Sequence, residues 1–245
     1  MVMAREWGEF VYAPPEAVRE DHIFLDREEA HHLFRVRRIE EGETVFATTG
    51  AGAVYECRVE VDRTLRVVRP LPEFGEPPLH MTLCIAMLKG DLNREVADVA
   101  TQLGARSIIF FRSERSEGRL LPDKLVKLRK NAIASIKQCG RARLPEIRVI
   151  TDFSSALQEV PAGTTLFVAD PADEASGRTT GTENPATVAL LVGPEGGFTP
   201  RELEIVSDYH AKYLHLGGRR LRAETAVAAG LSFLLHQAGD FRVHR

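Results

Sequence analysis

Hydrophobic positions along this chain follow two different rhythms. Up to about Leu71 short apolar stretches have strand character. Glu43 to Thr48 and Ala53 to Val61 flank Thr49-Gly50-Ala51-Gly52, a turn-rich join typical of a hairpin, and Leu65 to Val68 follows as another strand. Only Arg27 to Phe34 predicts a helix there. From Leu79 onward strand and helix signals alternate: Leu79 to Leu88, Leu92 to Leu103, Ser107 to Phe111, Asp123 to Gln138, Thr164 to Ala169, Thr187 to Val192, Pro200 to His210, Lys212 to Leu216 and Thr225 to Ala238. That alternation predicts an α/β fold with a mostly parallel sheet and helices on both faces. Between the two parts, Pro72-Glu73-Phe74-Gly75-Glu76-Pro77-Pro78 interrupts every periodic pattern and predicts a linker. The expected organisation is a small β-barrel-like domain over 1–71, a linker over 72–78 and an α/β domain over 79–245. Pro171 to Asn184, rich in Gly, Thr, Ser and acidic residues, predicts an exposed loop.

Candidate chemistry concentrates in two glycine-rich segments, Val192-Gly193-Pro194-Glu195-Gly196-Gly197-Phe198-Thr199-Pro200 and Leu214 to Ala226 with Gly217-Gly218. Each follows a predicted strand and precedes a predicted helix, so both loops fall at the carboxyl ends of strands, where open α/β sheets bind ligands. Thr199-Pro200-Arg201-Glu202 predicts a helix start, with Thr199 as N-cap, Pro200 at the first position and Glu202 closing a capping box. Neither Gly-x-Gly-x-x-Gly nor Gly-x-x-x-x-Gly-Lys-Ser/Thr occurs, which argues against phosphate cradling. Loops without a lysine but with Glu195 and Glu224 suit a ligand that is cationic or rich in amides and hydroxyls. Two ordinary strand-to-helix turns are the plain alternative.

The blocks Leu191-Val192-Gly193-Pro194-Glu195-Gly196-Gly197-Phe198 and Leu216-Gly217 with Leu221-Arg222-Ala223-Glu224-Thr225-Ala226 resemble the two signature blocks of the RsmE family, small-subunit (16S) ribosomal RNA uridine-N3 methyltransferases of the SPOUT class. Lys89-Gly90-Asp91, Ser113-Glu114-Arg115-Ser116, Gln138-Cys139-Gly140-Arg141, Pro145-Glu146-Ile147 and His31 to Arg38 extend the resemblance over nearly the whole chain. The chain departs from the family at Asn93-Arg94, at Val99 to Gly104, and at Lys137, where a glutamate is usual. The resemblance implies a SPOUT-type trefoil-knotted methyltransferase domain behind a PUA-like RNA-binding β-barrel. Periodicity alone could not reveal a knot. It further implies S-adenosyl-L-methionine as cofactor, small-subunit ribosomal RNA or the assembled small subunit as partner, and a homodimer. The cofactor contacts it points to are Leu191, Val192, Gly193, Pro194, Glu195, Gly196, Gly197, Leu216, Gly217, Leu221, Thr225 and Ala226.

Methylating uridine at N3 requires a base, because that nitrogen has no free lone pair until its proton leaves, and a cation or donors to stabilise the uracil anion. Glu195 and Glu224 are the acidic candidates and Arg222 the nearest cation by sequence. Glu224 could instead cap the last helix with Thr225, and Glu195 could tie the loop to a neighbouring chain or to the cofactor. Arg5, Arg35, Arg37 and Arg38 could neutralise RNA phosphates from the first domain, and Lys89, Arg141 and Arg143 from the second. If Arg35-Val36-Arg37 is extended, its two cations share one side; a solvated face is the plain alternative. Ribose 2′-O methylation is a second reading, but the usual Asn-x-Gly-x-x-x-Arg element is missing where the helix runs Asn93-Arg94-Glu95-Val96-Ala97-Asp98-Val99. A non-catalytic RNA-binding or ribosome-assembly protein is a third.

Composition narrows the class further. At 245 residues, 44% hydrophobic and 27% charged, the chain can bury a sizeable core and is not a disordered polypeptide. No apolar run approaches the roughly 20 residues of a membrane helix, and the amino terminus lacks an apolar segment of the signal-peptide kind. Cys57, Cys84 and Cys139 form no Cys-x-x-Cys pair and His31-His32 has no third ligand, so the expectation is a reducing cytoplasm and no metal. A net charge of −3 means that any RNA surface must be a local patch.

Overall fold

A computed structural model describes residues 8–119, 122–169 and 185–241. Arg5 and the 171–184 segment lie outside the described residues. The chain forms two compact units: the first runs to Glu76 and takes in Ile133–Leu144, and the second holds Pro77–Ala132 and the chain from Pro145.

In the first unit, strands β1 (Glu9–Tyr12), β2 (Val18–Arg19), β3 (His22–Ile23), β4 (Thr44–Thr48), β5 (Ala53–Val59) and β6 (Leu65–Pro72) stand in the order β1-β4-β5-β6-β3-β2. β1 runs parallel to β4, and the other neighbours are antiparallel. The predicted hairpin joins β4 to β5, with Thr48 opposite Val54. Val11, Ile23, Val45, Cys57 and Leu65 come from strands at both ends of this order yet share one apolar cluster, so the sheet curls around its core.

Asp26 caps helix α1 (Arg27–His31), accepting from the Glu29 amide at 2.8 Å, and the chain continues as a wider π-type turn over His32–Val36. Buried Leu33 anchors that turn in the core. Arg35-Val36-Arg37 is therefore not the extended stretch in which alternate arginines would share a side.

Residues 133–144 add a polar buttress to this unit. Arg141 donates through Nε and Nη2 to Glu76 at 3.2 and 2.8 Å, Glu76 also accepts the Arg143 amide at 2.9 Å, and the Thr48 hydroxyl donates to the Arg141 carbonyl at 2.7 Å. The Arg141 and Glu76 side chains are 2% and 1% exposed. Lys137 pairs with Glu29 at 2.5 Å. Arg141, expected as an RNA contact, is thus corrected to an internal group: its charge is neutralised inside the protein, where RNA phosphates do not reach.

The second unit is built from β7 (His80–Ala86), α2 (Leu92–Gln102), β8 (Ala105–Phe111), α3 (Pro122–Cys139), β9 (Glu146–Ile150), α4 (Phe153–Gln158), β10 (Thr165–Ala169), β11 (Thr187–Val192), α5 (Pro200–Asp208), β12 (Lys212–Tyr213) and α6 (Ala223–Gln237), with α3 counted here to Ala132. Its sheet has the order β12-β10-β11-β7-β8-β9 and every pair is parallel. Alternate residues serve opposite faces, as strand geometry requires. Val188, Leu190 and Val192 of β11 join Val96 and Ala100 of α2 and Val227 and Leu231 of α6; Ala189 and Leu191 join Phe153 and Leu157 of α4 and Val206 of α5.

From β11 the chain passes β10, adds β12 at the sheet edge, and returns as α6 to pack on β11 and α2. This crossing and return set α6 against the strand from which the first glycine loop leaves. Sequence periodicity missed β9 and α4. β9 is an edge strand whose residues are only half-buried or exposed, and α4 spans six residues, too short for a helical period to register. β12 covers two residues rather than five. Among the described residues no helix is long and apolar enough to cross a membrane.

Breaking a buried ion pair strands a charge in the interior at a cost of about 3–5 kcal/mol. Arg141→Met should therefore destabilise the protein by about that much in urea unfolding, whereas Arg143→Ala, removing a part-exposed partner of Glu73, should cost below about 1 kcal/mol. Equal losses for the two variants would show that the buried pair carries no special weight.

Candidate functional site

The first glycine loop leaves β11 after Val192 and is held at both ends. Gly197, at φ +69°, turns the chain, and its amide donates to the Pro194 carbonyl at 2.8 Å. α5 then begins with the predicted capping box: the Thr199 hydroxyl accepts the Glu202 amide at 3.3 Å and Glu202 Oε2 accepts the Thr199 amide at 2.8 Å. Glu202 is 2% exposed, and its other oxygen accepts the Glu114 amide at 3.0 Å. The same carboxylate thus caps α5 and ties the loop to the segment after β8.

Arg115 reaches the same loop from that segment. Its Nη1 donates to the carbonyls of Gly196 at 2.9 Å and Phe198 at 3.2 Å. The second loop turns at Gly217, φ +96°, a conformation that side-chain-bearing residues rarely adopt. Arg220 of this loop donates to the Glu195 carbonyl at 2.7 Å, so the two glycine loops are directly bonded.

Between the loops lies a cavity of about 430 Å³, within the range of small-ligand sites. Val192, Gly193, Pro194, Glu195, Gly196, Gly197, Leu216, Gly217, Leu221 and Ala226 line it, with Ala169 at the end of β10 and Arg115, Phe198, Leu203, Leu214, Arg219, Arg220 and Ala223 around them. Leu191 does not line it, since it packs on the opposite face of the sheet. Thr225, in the first turn of α6, is also outside the lining. Strand spacing accounts for the width. The loops follow β11 and β12, which are separated by β10, hence about 10 Å apart at two inter-strand spacings.

Apolar side chains supply surfaces for a flat ligand and glycine backbone allows close approach. Glu195 is the carboxylate in the lining. Arg222 is the N-cap of α6, its side chain 86% exposed and outside the lining, 3.9 Å from Glu224. No side chain caps α6, so the capping role considered for Glu224 and Thr225 is not what they do; both lie inside its first turn. Lys89 is exposed and paired with Glu117, whose hydrogen bond raises its pKa, with a smaller contribution from Glu195.

Burial pushes the Cys84 and Cys57 thiols up to about 12 and raises that of Cys139, so none of the three supplies a thiolate near neutral pH. Among the described residues no cluster of three His, Cys, Asp or Glu side chains could hold a metal. In the first unit Arg35, Arg37 and Arg38 are exposed; Arg37 bonds Glu9 at 2.7 Å, and Arg38 sits at φ +58°. Sequence reasoning gave Arg115 and Arg220 no role in the site, because their partners are backbone carbonyls 81 and 25 positions away in the chain, a relation that no local pattern encodes.

Residues 75–235 match the family described as RNA methyltransferase domain, and residues 25–67 match the RNA methyltransferase PUA domain. The small-subunit ribosomal RNA methyltransferase E of Bacillus subtilis (strain 168) is 28% identical over 244 residues, covering 93% of this chain and 95% of that protein. A Legionella pneumophila protein described as a methyltransferase, solved with bound SAM, is 28% identical, with a TM-score of 0.78 over 94% of this chain and 97% of that one. The fold is also that of the small-subunit methyltransferase E from Neisseria gonorrhoeae, solved with S-adenosyl methionine: TM-score 0.84, 24% identity, 96% and 100% coverage. With a PUA domain match, an RNA methyltransferase domain match over most of the chain, and both glycine blocks on one cavity, this chain belongs to the RsmE family of RNA methyltransferases.

Proposed function

We propose that the protein transfers the methyl group of S-adenosylmethionine to N3 of a specific uridine in small-subunit ribosomal RNA. The observation that carries this reading is the convergence of both glycine loops on one apolar, backbone-rich cavity with a carboxylate in its lining. The residues fit the cofactor: leucines and Ala226 offer apolar contact to an adenosine, the glycines admit its polar edges to the backbone, and Glu195 suits a cationic sulfonium. When bound, the cofactor supplies an electrophilic methyl group.

The protein's own task is to prepare the nucleophile. Glu195, in the lining, is the better placed of the two glutamates to take the N3 proton, and Glu224 is left as a first-turn residue favourable to the α6 dipole. Arg219 and Arg220 line the cavity and Arg222 does not, so the uracil anion is assigned to the former pair. Asn93 argues against ribose chemistry: it is buried, with its amide engaged by both backbone groups of Leu88 at 2.9 and 2.8 Å.

Incubating the protein with small subunits and labelled cofactor, then mapping the RNA by mass spectrometry, should find the methyl on the uracil base of one uridine. A methyl on ribose would replace this reading with 2′-O transfer, and cofactor binding without transfer would favour a non-catalytic RNA-binding role. A base acts only when deprotonated, so single-turnover rates should fall as pH drops through its pKa. Glu195→Gln should abolish that acidic limb and cost about 10²–10⁴-fold, while Glu224→Gln keeps the limb; the opposite pattern reassigns the base.

Exposed Arg35, Arg37 and Arg38 are proposed to dock RNA phosphates, with Lys89 as a contact on the second unit. Replacing the three arginines with Ala should weaken RNA binding and flatten its salt dependence by roughly one counterion per lost contact, leaving cofactor affinity unchanged. An unaltered salt slope would make them an ordinary solvated face. A homodimer through α6 completes the reading, supported by Phe233, 42% exposed on a helix otherwise rich in apolar residues. Sedimentation equilibrium should return twice the chain mass, falling to the monomer in Phe233→Glu; a monomeric parent protein removes the dimer.

A further inference from the structure

We propose that Arg115 is a positioning residue for the cofactor: it holds the first glycine loop in its ligand-binding shape by gripping two of the loop's carbonyls. This rests on the reading of the cavity as the cofactor site. Both hydrogens of Nη1 have an acceptor in the loop, Gly196 O at 2.9 Å and Phe198 O at 3.2 Å. The side chain lies along the loop itself: a Cβ built on Gly196 would stand 3.3 Å from Arg115 Cβ and 3.4 Å from its Cδ. Glycine at 196 therefore leaves the arginine stem room that a Cβ would crowd.

The segment that carries Arg115 is itself tied to α5. Its neighbour Glu114 donates its amide at 3.0 Å to Glu202, the buried carboxylate that also closes the α5 capping box. From the other side Arg220 donates to the Glu195 carbonyl at 2.7 Å. Carbonyls 195, 196 and 198 are thus each engaged by a guanidinium. A loop with three glycines has many conformations to lose on binding, and fixing it beforehand removes that loss from the affinity. Lysine could not substitute fully, because the planar guanidinium presents its donors in fixed directions.

Arg115 is itself exposed. Its removal leaves no hole in the core, so the effect should appear in cofactor affinity and not in thermal stability. That separates positioning from a merely structural role.

The test compares the parent protein, Arg115→Ala, Arg115→Lys and Gly196→Val by calorimetric titration with S-adenosylmethionine, alongside melting curves and the KM values for cofactor and RNA. Arg115→Ala should weaken cofactor binding by about 10–100-fold and raise the cofactor KM in step, with an unchanged melting temperature and RNA KM. Arg115→Lys should fall between. Added guanidinium ion, kept well below denaturing concentrations, should restore part of the affinity of Arg115→Ala and none of that of Gly196→Val. A folded Arg115→Ala protein with parental cofactor affinity, while Gly196→Val has lost it, overturns the positioning role and leaves the site intact. A change confined to the RNA KM also overturns it, by making Arg115 an RNA contact. Absence of cofactor binding in the parent protein overturns the reading of the site, and this proposal with it.

Discussion

The parallel register that sets Val192 beside Ala169, and Tyr213 beside Val168, determines where the two glycine loops begin. With β10 between their strands, the loops start two inter-strand spacings apart, and Ala169 lies in the cavity lining between them. Everything else in the site adjusts to that separation. Glycine turns allow the loops to lean over the gap, Arg220 bonds one loop to the other, and Arg115 with Glu202 ties the first loop to the end of β8. Widely separated stretches of chain become one binding surface because neighbouring parallel strands all end on the same side of the sheet.

The two units solve the same packing requirement differently. In the second, mainly apolar layers cover both faces of a parallel sheet, with isolated buried polar side chains such as Asn93, Thr101 and Glu202 each hydrogen-bonded. In the first, a small apolar core is supplemented by charged pairs, Arg141 with Glu76 and Lys137 with Glu29, that fasten residues 133–144 to the curled sheet. Lys137 replaces a glutamate usual in the family, and here it meets a carboxylate partner. The buried arginine shows why a basic residue in a nucleic-acid enzyme is not automatically a contact: its surroundings decide whether its charge is neutralised from within.

Much of the architecture was legible in the residues. The change of rhythm near Leu79, the hairpin at Thr49–Gly52, the capping box of Thr199 and Glu202, and the apolar run of strand β11 each show in the residue types of a short stretch of sequence, so local pattern carries them. The glycine blocks marked the site for a related reason, since positive φ at Gly197 and Gly217 restricts the residue type wherever the turn occurs. The misses were short or half-exposed elements, β9 and α4, and the early end of β12, beyond which the Leu214 amide still bonds the Val168 carbonyl of β10 at 2.8 Å before the chain turns at Gly217.

By itself the sequence determined the periodicities, the turn chemistry and the two loops, because each depends on a few adjacent residues and their intrinsic conformational preferences. Only the tertiary structure decided which charges were usable: Arg141 was drawn inside, Arg222 was turned to solvent, and Glu195 was brought into the cavity lining while Glu224 was left in a helix turn. The same holds for the grip of Arg115 on the first loop and for the second bond of Glu202, to the Glu114 amide, each made with backbone more than 80 positions away. A backbone carbonyl or amide is common to every residue, so a side chain that bonds one leaves no trace in the identity of its partner, and only the folded arrangement of strands reveals the pair.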